Sequence, residues 1–332
     1  MDHLTSFLAA IGHEEIEDAE EESFLLFSQD IPSANLGFVD SRATTIDLTI
    51  HDTDYTIHQS PTLLSSSRAG GTTGAVLWKI TPLIAEWLLS NTQNPLWTHS
   101  LLTPSSTIVE LGCGISALNA LALAPKIAHY IATDQEYVYR LFRQNLDANG
   151  GTQQQQQKSA GKQQQKDKGK KKQKGGGGAE AQTQSNIIFT GLDWELDVAG
   201  SLKEGVGIDT SGDTDRGGGD GDWDGEEDKG FDVVLSCDCI YNDALVAPLV
   251  RTCADLCRLR PVYRDGEEKE QRGRGRKPTV CVIAQQQRSP EVFEAWLQET
   301  MRVFRVWRVS DEMLGEKLKL GSGYLVHLLL LK

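Results

Sequence analysis

The residues able to do chemistry in this sequence collect in two short stretches. The first, residues 107–117 (TIVELGCGISA), sets one acid, Glu110, in an apolar run and then breaks into Gly112, Cys113 and Gly114. Glycines adopt backbone torsions closed to other residues and let a ligand lie against the main chain. About 20 residues further on, Asp134 ends a second apolar run, YIATD. That separation suits a carboxylate taking the ribose hydroxyls of a nucleoside. An adenosine-containing cofactor is the ligand such a pair would hold. The second stretch, FDVVLSCDCIY, ends in Cys237, Asp238, Cys239, Ile240 and Tyr241. A carboxylate just past a buried strand has a partner or a task, because burying it alone is costly. Its structural alternative is a cap on the helix that follows.

The glycine turn does not choose its cofactor. Gly112, Gly114 and Ala117 also fit the loose dinucleotide pattern G-x-G-x-x-G/A, so NAD stays open. Glu110, two residues before the first glycine, tilts the choice toward S-adenosyl-L-methionine. That molecule carries an amino-acid ammonium for a carboxylate to face, and NAD does not. Asp193 and Trp194 follow the short apolar run IIFT, where an aromatic face and an acceptor suit an adenine ring; the structural alternative for the pair is a loop staple. Trp78, beside flexible glycines, either closes over a cofactor or is a core tryptophan. The scattered cysteines lack the paired knuckles of a zinc site, so no metal is expected, and Cys113 reads as a small apolar filler.

These residues need a parallel sheet to bring them to one edge. Apolar runs at 108–111, 130–134, 187–190, 233–236 and 279–284 alternate with helical patterns at 77–90, 117–124, 135–149, 244–258 and 290–300. Two further runs, 303–309 and 324–330, close the chain as an antiparallel pair. The expected fold is α/β, a Rossmann-like seven-strand sheet, mostly parallel with a terminal antiparallel hairpin. Residues 1–60 form an N-terminal extension with an acidic helical segment (14–22) and a β-hairpin (44–59), either a substrate-facing lid or a structural annex. Residues 61–332 form the main domain. Low-complexity polar inserts at about 150–185, 199–230 and 263–278 are too poor in apolar residues to build a core and are expected to be disordered. Asn149-Gly150 is expected to end its helix.

Composition narrows the partners. The 332 residues carry a formal net charge of -14, which speaks against a general nucleic-acid or membrane binder and suits a basic protein partner. The acidic run at 14–22 is the wrong charge for a signal peptide, and no apolar run reaches membrane-spanning length. Six cysteines outside a small secreted framework imply a reducing compartment, cytoplasmic or nuclear.

Taken together, TTGAVLW before the first core helix, VELGCGIS, YIATDQ, LDW and CDCIYN resemble the class I seven-strand methyltransferases. Within them, the chain is similar to the lysine methyltransferases that carry a D-x-x-Y signature, here Asp238 to Tyr241. The resemblance covers about residues 71–149 and 187–332, and ELGCG alone is generic. It implies a protein-lysine N-methyltransferase using S-adenosyl-L-methionine. The expected substrate is a basic large-subunit ribosomal protein, with nucleic acid met only through the ribosome. It implies that Trp78, Gly112, Cys113, Gly114, Asp134 and Trp194 contact the cofactor, with Cys237 doing so through its backbone. Asp238 and Tyr241 would line the slot for the target lysine. Ser116 departs from the third glycine common in the class. An NAD-dependent oxidoreductase and a cofactor-binding scaffold without turnover are the alternatives.

Overall fold

The structure is a computed structural model and describes residues 3–12, 14–32, 36–67, 71–90, 94–160, 186–210, 228–262 and 277–332. Its centre is a seven-stranded sheet. In chain order the strands are β3 (Thr107–Leu111), β4 (His129–Asp134), β5 (Ile187–Gly191), β6 (Val233–Cys237), β7 (Val280–Gln286), β8 (Phe304–Arg308) and β9 (Tyr324–Leu331), after a separate hairpin of β1 (Thr45–Ile50) and β2 (Thr53–His58). The sheet order is β5-β4-β3-β6-β7-β9-β8, parallel except where β9 runs antiparallel between β7 and β8. This is the expected mostly parallel sheet with its terminal antiparallel pair. The order reverses between β3 and β6, and open α/β sheets bind ligands in the crevice at such a point.

The strands are apolar on both faces because both faces are covered. Along β9, Tyr324, Val326, Leu328 and Leu330 enter one buried cluster with Ile84, Leu118 and Phe142. Leu325, Leu329 and Leu331 enter the other with Leu249 and Trp296. One side chain on β9 breaks the apolar rule. His327 is fully buried against Phe293 and Trp296, and neither ring nitrogen has a hydrogen-bond partner among the described residues. Burial, with a smaller contribution from Arg308, pulls its pKa from 6.5 to about 3. Above pH 6.5 both folded and unfolded states hold it neutral. Below that the unfolded state takes a proton the folded state refuses, so stability falls as pH drops toward 3. His327→Leu should therefore gain on the wild type by about 2 kcal/mol between pH 7 and pH 5. Urea melts at the two pH values would show it, and a gap that does not change with pH would contradict it.

Three expectations need correction. The helix after β4 does not stop at Asn149-Gly150 but runs Tyr139–Ala160. Asn149 is not a terminator because its side chain is engaged on β2, accepting from the Thr56 N–H (2.9 Å) and donating to the Thr56 carbonyl (3.0 Å). The glutamines that follow are good helix formers. The insert at 199–230 folds at its start, where Ala199–Ser201 and Leu202–Gly205 are short helices. Lys203 is buried there, donating to the Asp228 carbonyl (3.0 Å) and lying over Phe231. The remaining insert residues, 161–185, 211–227 and 263–276, lie outside the described residues.

The acidic segment also divides. Asp18 caps an Ala19–Phe27 helix, while the residues before it lie along the sheet edge: Glu15 bridges to Trp307 and pairs with Arg305 (2.7 Å). A further helix, His3–Ile11, precedes it. The β1–β2 hairpin is tied to the Tyr139–Ala160 helix by Asn145 and Asn149, and none of its residues lines the cavity described next.

Candidate active site

A cavity of about 480 Å³ opens at the carboxyl ends of β3, β4 and β6. That volume falls in the usual range for small-molecule sites. Trp78, Gly112, Cys113, Gly114, Asp134, Trp194, Cys237, Asp238 and Tyr241 all line it. Residues separated by more than a hundred positions thus meet because their strands end on one edge.

The floor is the glycine turn. Gly112 (φ +70°) and Gly114 (φ +60°) both take left-handed torsions. The Gly112 and Cys113 N–H groups donate to the Thr133 carbonyl (2.9 and 3.1 Å), which clamps the turn onto β4. Gly114 N–H donates to Asp134 Oδ2 (2.8 Å), and Gln135 N–H to Asp134 Oδ1 (2.6 Å). Burial still dominates and pushes the Asp134 pKa up to about 6, against the pull of those two donors. The Trp194 ring edge lies beside Gly112, and its buried indole N–H has no partner among the described residues.

Glu110 is placed differently from expectation. It does not line the cavity. Strand alternation turns its side chain into the core, where it accepts from the Asn119 side-chain amide (2.7 Å) and the Tyr130 hydroxyl (2.8 Å). Burial raises its pKa to about 7 despite both donors. The reading that Glu110 selects an ammonium-bearing cofactor therefore loses its basis. Asn119 also donates to Cys237 Sγ (3.6 Å), so Glu110 braces the wall instead of touching a ligand.

The opposite end of the cavity holds Asp238, Tyr241 and Trp78. Asp238 has φ +63° and is buried. It does not cap the next helix, since Asn242 does so through the Ala244 N–H (3.1 Å). Asp238 Oδ1 accepts from the Gln286 N–H (3.1 Å), and Oδ2 is ion-paired with Arg288. Tyr241 is 40% exposed at the mouth, its hydroxyl accepting from Thr73 Oγ1 (3.3 Å), and burial of the remainder raises its pKa. Trp78 lies where the core meets the cavity. It packs partly against the core, its indole N–H donates to the Thr73 carbonyl (2.9 Å), and it lines the cavity.

Two residues of this neighbourhood escaped the sequence reading. Tyr137 lines the cavity, and its hydroxyl accepts from the Gly74 N–H (3.2 Å), fixing the Thr73–Ala75 turn. Arg288 follows β7. The polar run Gln286-Gln287-Arg288 directly after a buried strand was the available signal.

No family model matches the chain. The chain spans about a third of the length of the first curated relatives it matches. A Schizosaccharomyces pombe protein named diaminohydroxyphosphoribosylamino-pyrimidine deaminase is 37% identical over 138 residues, 41% of this chain and 33% of that protein. Ribosomal lysine N-methyltransferase 5 of Zygosaccharomyces rouxii is 36% identical over 107 residues, 29% of this chain and 34% of that protein. The Lachancea thermotolerans protein of the same name is 23% identical over 322 residues, covering 82% of this chain and 81% of its own length. Over most of its length, then, this chain is similar to ribosomal lysine N-methyltransferase 5 of yeasts.

Proposed function

We propose that this chain is an S-adenosyl-L-methionine-dependent protein-lysine N-methyltransferase. Its substrate on this reading is a basic large-subunit ribosomal protein, met in the cytoplasm or nucleus. The observation that carries the proposal is the meeting of a nucleoside half-site (Gly112, Gly114, Asp134, Trp194) with the Asp238 and Tyr241 corner in one cavity. The name shared by several relatives supports the lysine and the ribosome, and the net charge of -14 suits a basic substrate. The deaminase name belongs to a protein of which this chain matches a third. Zinc nucleobase deaminases carry a P-C-x-x-C run that this sequence does not contain.

The residues present fit this cofactor. Asp134 offers carboxylate oxygens to hydroxyl donors, Trp194 offers an aromatic face with an unpartnered N–H beside it, and the glycine turn leaves the main chain open to close approach. When bound, S-adenosyl-L-methionine supplies a methyl group on a sulfonium, whose transfer to an amine returns an electron pair to sulfur and leaves one N–H proton to be lost. The protein's part is position and exclusion of water. Trp78 and Tyr241 wall the amine's approach. Asp238, held by two partners, offers a fixed acceptor for an amine N–H.

Calorimetry tests the cofactor. Saturable heat with S-adenosyl-L-methionine and none with NADH is the expected result, and preferential binding of NADH would overturn the reading. Asp134→Ala should weaken S-adenosyl-L-methionine at least about tenfold, the scale of a hydrogen bond to a charged group. In the wild type, affinity should fall as pH drops below about 6, where Asp134 takes up its proton. An unchanged dissociation constant would remove Asp134 from the site.

A further inference from the structure

The Asp238 carboxylate does not stand free in the acceptor slot. Arg288 Nη2 pairs with its Oδ2 and also donates to Gln286 Oε1 (2.9 Å). The guanidinium carbon lies 4.7 Å from the centroid of the Trp78 ring, so the cation is held between the carboxylate and a residue lining the cavity. Arg288 Nη1 is buried and has no hydrogen-bond partner among the described residues. The loop is fixed from behind, since the next-door Gln287 amide donates to the Leu26 carbonyl (2.7 Å).

This pairing bears on a requirement of amine methylation. Only the neutral amine has the lone pair that attacks, and a free lysine holds its proton up to about pH 10.4. A lone carboxylate within 4–6 Å of an incoming amine favours the charged ammonium and raises its pKa by about 1–3 units. An isolated Asp238 would thus hold the substrate in its unreactive form. Paired with a permanently charged guanidinium, the carboxylate presents no net charge, yet its oxygens still accept hydrogen bonds. Three other titratable groups among the described residues interact with Asp238 and add no charge of their own, while the second carboxylate lining the cavity, Asp134, sits at the glycine-turn end on the Gly114 and Gln135 N–H groups. Tyr324 on β9, pushed up to about 12 by burial, and Cys237 and Cys239 on its own loop, raised by burial, all keep their protons. Tyr241, which also interacts with Arg288, is likewise raised and neutral.

We propose that Arg288 is a positioning residue that cancels the charge of Asp238, so that the slot accepts a lysine as its neutral amine. This rests on the methyltransferase reading above. In Arg288→Gln the carboxylate loses its counter-charge, while in Arg288→Lys a cation remains.

The test follows single-turnover transfer at saturating substrate against pH. The substrate is the large-subunit ribosomal protein pool from cells lacking the enzyme, and the rate under saturation reports groups in the bound complex. The acid limb for Arg288→Gln should move up by at least about one pH unit. Arg288→Lys should keep the wild-type limb within about half a unit. Arg288→Gln combined with Asp238→Asn should return the limb to its wild-type position at a lower rate. A merely structural arginine would lower rates without moving the limb, and that result overturns the proposal. A second readout needs no substrate. Calorimetry should show Arg288→Gln preferring S-adenosyl-L-methionine over S-adenosylhomocysteine at least about threefold more than the wild type does, because an uncancelled carboxylate favours the sulfonium. An unchanged preference counts against the proposal. If the wild type transfers no methyl group to the pool, the functional reading fails, and the cofactor preference still decides the role of Arg288.

Discussion

Asp238→Asn should lower methyl transfer by about 10²-fold while changing the S-adenosyl-L-methionine dissociation constant by less than about threefold. Asparagine keeps the shape of the side chain and tolerates the left-handed backbone at this position, φ +63°. The variant removes the charge and one acceptor oxygen and leaves Arg288 without its counter-ion. Breaking a buried pair from one side costs about 3 kcal/mol or more, so stability must be measured beside turnover. Alanine would confound the result, since it adds backbone strain to the lost acceptor. Labelled-methyl transfer and calorimetry on the same preparation separate the two effects. Full turnover in the asparagine variant would leave Asp238 no part in the transfer.

Gly112→Ala should damage the other half of the site. A Cβ at this position would land on Cys239 Sγ and lie 3.4 Å from the Trp194 ring. The backbone φ of +70° adds about 1–2 kcal/mol for any residue with a Cβ, and overpacking adds about 1–3 kcal/mol. Cys239, which lines the cavity, is the neighbour that must move, so cofactor affinity should drop at least about tenfold alongside the stability loss. Adding Cys239→Ala to Gly112→Ala should recover the steric part and leave the torsional part. Denaturant melts and calorimetry read both. Wild-type melting and binding in the single variant would contradict this placement of the turn.

Much of this was legible because hydrophobic patterning and chain punctuation agree. Each parallel strand is a short apolar run, and β3, β4 and β6 end in, or are followed directly by, a glycine or an acid that lines the crevice. The topology then brings Gly112, Asp134, Trp194 and Asp238 together without further information. Illegible features depend on neighbours across the sheet. Arg288 gains its meaning only because β7 lies beside β6, which places it on an acid 50 positions earlier in the chain. Glu110 looked like a ligand-facing acid because its position beside the glycines was visible. Tyr130 on the adjacent strand and Asn119 on the following helix, which hold it in the core, were not. Asn149-Gly150 looked like a helix stop, but a tertiary contact with Thr56 claims the asparagine. Lys203 sat in a run too polar to suggest a core and is buried through its pairing with Asp228.

Methyl transfer to a ribosomal lysine is tested by incubating the purified protein with methyl-labelled S-adenosyl-L-methionine and large ribosomal subunits from cells that lack the modification. The labelled proteins are then separated and the modified residue is found by mass spectrometry. The expected result is label on one lysine of one ribosomal protein, lost with Asp238→Asn. Binding of S-adenosyl-L-methionine with no label on any lysine would contradict it.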